Sequence, residues 1–322
     1  MTGGVAELAT RTPRRLRRLL GVAAAMGALP SLAAAQAPPP PPTFGAGIEI
    51  INLNLSVTDA RNNFIADLNP SDFAIFEDGI RQELSLFTHE DLPISMVLMV
   101  DTSASMEEKI SVAQAAAIRF TSTLRAQDLA QVVQFNDRAT TLQPFTNDHA
   151  VLEAAIRKTQ ASGPTALHNA LYVALKDLTR EKKVGELRRR AIVLLSDGED
   201  TASLVNDEQV LELAKKSEIT IYAISLRPNR PQDRLRQEFS QAEYLLTALT
   251  RETGGRVYFP NALSELDAVY ERIAEELRTL YSIGYVSSNA RRDGKWRRIV
   301  VRVPVREGTS VRHRLGYYAP SS

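Results

Sequence analysis

Residues 97–106 read V-L-M-V-D-T-S-A-S-M. An apolar run stops at a carboxylate, and two hydroxyls follow at every second position. A strand that leaves a core needs polar residues at its exit, and Ser or Asp there also suits the N-cap of a following helix. Neither need calls for an acid and two serines in alternation. Such a pattern also lets a looping backbone aim three oxygen-bearing side chains to one side. The surrounding chain has to choose between a helix cap and a cation site.

The periodicity around this stretch alternates between strand and helix. After the run at 94–100, Ile110, Ala113, Ala117, Phe120 and Leu124 keep one apolar helical face. Strands are expected at 130–135 and 139–145. A helix at 166–178 carries Leu167, Ala170, Leu171, Ala174 and Leu178 on one side. The short continuous apolar run at 191–195 marks a strand covered on both faces. A helix at 207–217, a strand at 220–226, a helix at 235–252, a strand at 256–259 and a helix at 263–279 complete the series. Buried strands alternating with helices predict an α/β fold, a doubly wound and mostly parallel sheet with helices on both sides.

Both flanks differ from this middle. Ile51, Leu53, Leu55 and Val57 alternate with polar residues, the period of a half-buried strand. Asp78-Gly79 lies between two strand-like runs as a hairpin turn. Further strands are expected at 280–286, 295–303 and 311–318, separated by turns at Asp293-Gly294 and Glu307-Gly308. The expected organisation is an α/β domain, 92–280, inserted into a small all-β domain built from 46–91 and 281–322.

The first 35 residues read as an export leader: TRTPRRLRR, then an apolar stretch, then Ala33-Ala34-Ala35 before Gln36. Pro30 interrupts the apolar stretch, which is shorter than the roughly 20 residues of a spanning helix. Removal after Ala35 leaves no transmembrane segment and an exported protein, periplasmic or secreted. Residues 36–45, with five consecutive prolines at 38–42, form an extended spacer. The chain has no cysteine, so disulfides, thiol chemistry and a lipid-modified cysteine are excluded. Net charge is +1. The leader holds Arg11, Arg14, Arg15, Arg17 and Arg18 against Glu7 alone, so the remainder is net negative and nothing points to nucleic acid.

In doubly wound folds ligands bind at the carboxyl ends of the strands. Three loops there carry suitable groups: Asp101, Ser103 and Ser105; Ser162-Gly163-Pro164-Thr165; and Asp197-Gly198-Glu199-Asp200, where Gly198 would let the chain turn sharply. Carboxylate and hydroxyl oxygens suit a small hard dication, and no His or Cys in the set favours a softer one. Two carboxylates balance a dication without saturating it, which leaves the metal electrophilic.

D-x-S-x-S after a buried strand, S-G-P-T-A-L, and L-L-S-D-G-E-D, in that order, resemble the von Willebrand factor type A domain. The resemblance covers about 92–280 and implies a metal-ion-dependent adhesion site holding Mg²⁺, with Mn²⁺ or Ca²⁺ as other occupants. Its ligands would be Asp101, Ser103 and Ser105 from the first loop, Thr165 from the second and Asp197 from the third. It also implies a protein partner that donates an Asp or Glu carboxylate to the metal. The flanks LSVTDARNNFIADLNPSDFAIFEDGIRQELSLF and YSIGYVSSNARRDGKWRRIVVRV resemble a secreted bacterial VWFA-related family named for acidobacteria. Pro164 departs from the glycine common before the threonine; it fixes φ and removes a donor but leaves the Thr165 hydroxyl.

Other readings remain. Haloacid dehalogenase-type enzymes need an acid where Ser103 stands, and G-x-S-x-G and H-E-x-x-H motifs are absent. A metal-dependent hydrolase would need a base, for which only His168 or the acids of D-G-E-D offer themselves. A structural envelope protein with a degenerate site is a third reading. No enzymatic activity and no catalytic residue is expected. Glu199 and Asp200 are expected as loop or cap residues. His168 is expected at the surface or in helix packing, and the cluster Arg188–Arg190 and the stretch 291–298 as solvated.

Overall fold

A computed structural model describes residues 49–89, 92–181, 188–226 and 241–321. The leader and spacer expected over 1–45 lie outside the described residues, as does the start of the helix expected at 235–252. The chain begins with β1 (Ile50–Thr58), then β2 (Ala74–Glu77), β3 (Ile80–Gln82) and β4 (Leu84–Thr88). Asp78 and Gly79, which join β2 to β3, have φ of 47° and 85°, the left-handed pair that a two-residue hairpin requires.

The middle of the chain runs β5 (Ile94–Asp101), α1 (Ile110–Ser122), β6 (Leu129–Phe135) and β7 (Ala139–Thr146). It continues with α2 (His149–Ile156), α3 (Leu167–Arg180), β8 (Arg189–Ser196), α4 (Asp207–Ser217) and β9 (Thr220–Ser225). Then come α5 (Gln241–Thr253), β10 (Val257–Tyr258) and α6 (Leu266–Thr279). The last strands are β11 (Tyr281–Val286), β12 (Trp296–Arg302), β13 (Ser310–Arg312) and β14 (Gly316–Tyr318).

Six strands form the central sheet in the order β10-β9-β8-β5-β6-β7, parallel except for β7 at its edge. All eight residues of β5 are buried, because alternate side chains enter two different cores. Met96, Leu98 and Val100 meet Ala113, Ala117 and Phe120 of α1 together with Leu152, Tyr270 and Ile273. Val97 and Met99 meet Leu171 and Leu175 of α3 together with Val210, Leu245 and Leu249. Each such large side chain contributes roughly 1.5–3 kcal/mol by leaving water. The continuous apolar run is the consequence of two helical layers, one per face.

Helix α2 has no counterpart among the expected elements. Its eight residues are too few for a clear apolar period, and its start rests on a cap. Asp148 accepts hydrogen bonds from the Ala150 and Val151 amides at 2.9 and 3.2 Å.

The chain ends form two four-stranded antiparallel sheets, β13-β1-β11-β4 and β14-β12-β2-β3. Their shared core joins Leu53 and Leu55 of the N-terminal part to Tyr281, Ile283, Ile299 and Val301 of the C-terminal part. The α/β sheet is thus inserted into an all-β unit that neither chain end completes alone. The strand expected at 311–318 is two strands in different sheets: β13 pairs with β1 and β14 with β12. Between them His313 accepts the Val301 amide on Nε2 at 3.1 Å, and Arg314 donates to the Asn52 carbonyl at 2.8 Å. The chain crosses from one sheet to the other there.

Two arginines expected in solvent are interior. Arg189 is 1% exposed and donates to the carbonyls of Leu277 (3.2 Å) and Leu280 (2.6 Å). These groups lie at the end of α6, where carbonyls lack helical partners. Arg297 is buried against Glu77 at 3.4 Å, and Glu77 also accepts from the hydroxyls of Tyr285 and Tyr317. Among the described residues no helix is long and apolar enough to cross a membrane.

Candidate metal centre

The sheet order reverses around β5: the chain leaves it for β6 on one side and returns to β8 on the other. The carboxyl ends of β5 and β8 therefore open onto a crevice, the place where such sheets bind ligands. Register makes the ends flush, with Val100 opposite Leu195 and Asp101 opposite Phe135.

Three loops meet over this crevice and are tied to one another by backbone hydrogen bonds. The Thr102 amide donates to the Phe135 carbonyl at 2.8 Å, and Ser162 donates to Thr102 at 2.7 Å. Ala104 donates to Gly163 at 2.9 Å. Gly163 has φ of +74°, so the sharp turn of the second loop is made one residue before Pro164. The third loop closes on the second: the amides of Thr201 and Ala202 donate to the Thr165 carbonyl at 2.8 and 3.1 Å.

Within that frame four of the five expected ligands form one connected chain. The Ser103 amide donates to Asp101 Oδ1 at 2.8 Å, and the hydroxyls of Ser103 and Ser105 lie 3.0 Å apart. Ser105 Oγ donates to Asp197 Oδ1 at 2.7 Å. Thr165, the fifth, is reached through Gly198. A Cβ built on Gly198 would stand 3.3 Å from Thr165 Oγ1 and 3.7 Å from Ser105 Oγ. Gly198 does not have a positive φ. The chain bends at Gly198 as expected, and that residue's lack of a side chain keeps the space between Thr165 and Ser105 open.

The electrostatics are those of a site short of positive charge. Asp101 is fully buried, and burial pushes its carboxyl above the usual carboxylate range. Hydrogen bonds from Ser196 Oγ (2.5 Å) and the Ser103 amide act against that rise, while the Asp197 charge adds to it. Asp197 Oδ2 is paired with the Lys109 ammonium, which also donates to the Ser105 carbonyl at 3.3 Å. A cation thus stands against one of the expected metal ligands. Among the described residues no three His, Cys, Asp or Glu side chains converge to hold a metal. The donor set is two carboxylates and three hydroxyls, all oxygen, and it fits a hard dication held without excess negative charge.

The neighbouring polar residues position the loops. Asp200 accepts from the amide of His168 (3.2 Å) at the start of α3, where N–H groups lack helical partners, and from those of Ala202 (3.2 Å) and Ser203 (3.0 Å) in its own loop. His168 Nδ1 lies 2.9 Å from Asp200 Oδ2 and 3.2 Å from the Val205 carbonyl. Asn136 Nδ2 donates to the Ser162 carbonyl at 3.0 Å. Sequence reasoning missed Ser196 and Lys109. The first was visible as the residue before Asp197; the second stands four residues after Ser105, one helical turn away.

Residues 96–199 match the family model described as the von Willebrand factor type A domain. No curated protein matches the chain in sequence. Among solved structures the chain is similar to a von Willebrand factor type A protein from Catenulispora acidiphila, at 13% identity over 86% of this chain and 76% of that one, with a TM-score of 0.49. It is similar to BatB from Bacteroides thetaiotaomicron at 18% identity over 57% of this chain and 98% of that one, TM-score 0.43. A third is proximal thread matrix protein 1 of the mussel byssus, in a form with a zinc-occupied MIDAS motif. Its identity is 17% over 63% of this chain, with a TM-score of 0.48, and the chain spans about half (50%) of its length. The segment that matches the von Willebrand factor type A domain holds all five oxygen-donating residues.

Proposed function

We propose that this protein is an exported binding module that holds a divalent cation among Asp101, Ser103, Ser105, Thr165 and Asp197. The cation, Mg²⁺ first with Mn²⁺ or Ca²⁺ as alternatives, would supply an electrophilic point for a carboxylate of a protein partner. Domains of this family mediate protein interactions, generally through a bound divalent metal. The observation that carries the reading is the convergence of three loops on the space that Gly198 leaves open. His168 Nδ1, against Asp200 and the Val205 carbonyl, ties the start of α3 to the third loop. Export rests on the sequence of residues 1–35, and mass spectrometry of the mature protein should find it beginning at or near Gln36.

The test is calorimetry with Mg²⁺ and Mn²⁺ on the wild type and on Asp197→Ala. Affinity should fall tenfold or more, about 1.4 kcal/mol, with little change of the thermal midpoint in EDTA. Equal cation affinity in the two proteins would return Asp101, Ser103 and Ser105 to the status of a strand exit and helix cap. Partner binding that survives EDTA would remove the metal from the interaction.

A further inference from the structure

Lys109 occupies a position that its own helix disfavours. It is the N-cap residue of α1, where no side-chain cap bond is made. Ser, Thr, Asp and Asn are preferred there because they accept from free amides, and a cation at that end opposes the helix dipole. The ammonium instead reaches across to Asp197 Oδ2 of the third loop and to the Ser105 carbonyl of the first. Both contacts fall on residues of the candidate metal centre.

We propose that Lys109 is a built-in competitor for that centre: its ammonium balances Asp197 in the cation-free protein, and a dication binds only by displacing it. The proposal rests on the metal reading above. Charge supplies the reason. Asp101 and Asp197 with the Lys109 ammonium carry a net −1, and adding a dication beside a retained ammonium would bring the cluster to +1. Before any partner carboxylate arrives, neutrality is restored when the ammonium leaves. Its departure is physically open, because the Lys109 side chain is 23% exposed while that of Asp197 is fully buried. The flexible stem can carry the head into water without moving the backbone. The cost of displacement lowers cation affinity, so occupancy follows the surrounding cation concentration instead of remaining saturated.

Two substitutions test this in the full chain. Lys109→Met keeps the length of the stem and removes the charge; Lys109→Arg keeps the charge. Calorimetry should show Mg²⁺ and Mn²⁺ binding at least tenfold tighter in Lys109→Met and within about threefold of wild type in Lys109→Arg. In EDTA the thermal midpoint of Lys109→Met should fall, because Asp197 loses its partner, while the gap between the EDTA and Mg²⁺ midpoints widens. A merely structural lysine would lower both midpoints together and leave the gap unchanged. Wild-type cation affinity in Lys109→Met overturns the competitor role and leaves the metal centre standing. Absence of cation binding in both proteins overturns the metal centre as well.

Discussion

The two ends of the parallel sheet bury charge in opposite ways. At the amino end each charged group meets a partner that the protein itself supplies. Arg189 is held by the carbonyls ending α6, Asp128 accepts from the Ile94 amide and pairs with Arg125, and Arg190 and Arg314 both pair with Glu218. This is where the β unit sits on the α/β layers, through Ser282 against Arg189 and Arg314 against Glu218. At the carboxyl end two buried carboxylates, Asp101 and Asp197, face a single ammonium. The same strands and the same apolar interior therefore carry a balanced edge and an unbalanced one. The balanced edge matches its charges within the fold; the unbalanced edge keeps a negative charge unmatched.

The largest effect expected from this contrast is at the amino end. Arg189→Met leaves the Leu277 and Leu280 carbonyls buried without that donor and should cost about 3 kcal/mol of stability. Urea unfolding should show it as a lower midpoint at unchanged slope, with cation affinity unaltered. A loss within about 0.5 kcal/mol, the range of ordinary surface changes, would mean that the seam is not what supports the fold.

Gly198→Ala acts at the other end and in the other way. The new methyl crowds Thr165 Oγ1 at 3.3 Å while leaving both cores intact. Cation affinity should fall several-fold, about 1 kcal/mol, and the unfolding midpoint should hardly move. Unchanged affinity would show that the open space beside Gly198 is not part of the centre.

The smallest expected effect is a pH dependence in the β unit. Burial holds the His313 imidazole below its ordinary pKa, with Nε2 accepting the Val301 amide and Nδ1 against the Arg314 carbonyl. The folded state therefore binds fewer protons than the unfolded one near that residue. Its stabilising contribution is complete above about pH 6.5, the unfolded value, and is lost as pH falls from there through the folded pKa. The thermal midpoint of the wild type should fall more steeply than that of His313→Gln between pH 8 and 5. Parallel curves would remove His313 from the account.

The α/β layering and the inserted β unit were legible because both are written in local period. The unbroken apolar run Met96–Val100 marks β5 as covered on both faces, and Asp78-Gly79 declares its hairpin through backbone preference alone. The five oxygen donors were legible as motifs at strand ends, and the structure brings Asp101, Ser103, Ser105 and Asp197 into one hydrogen-bonded chain with Thr165 beside Gly198. Helix α2 was not legible, since eight residues give a weak period. The split of residues 311–318 between two sheets was hidden for a related reason: a strand pattern does not say which neighbour it pairs with.

What the sequence by itself determined is everything that depends on a residue and its near neighbours: strand and helix period, turn geometry, and the kind of oxygen each loop presents. Only the tertiary structure decided which charges are matched. Arg189 finds its carbonyls 88 and 91 residues away, and Lys109 finds Asp197 at a separation of 88. Gly198, where the chain bends, also leaves space beside Thr165, and no local pattern discloses that second role. Coulomb interaction and steric room are set by distance in space, and the chain order records that distance only for neighbours.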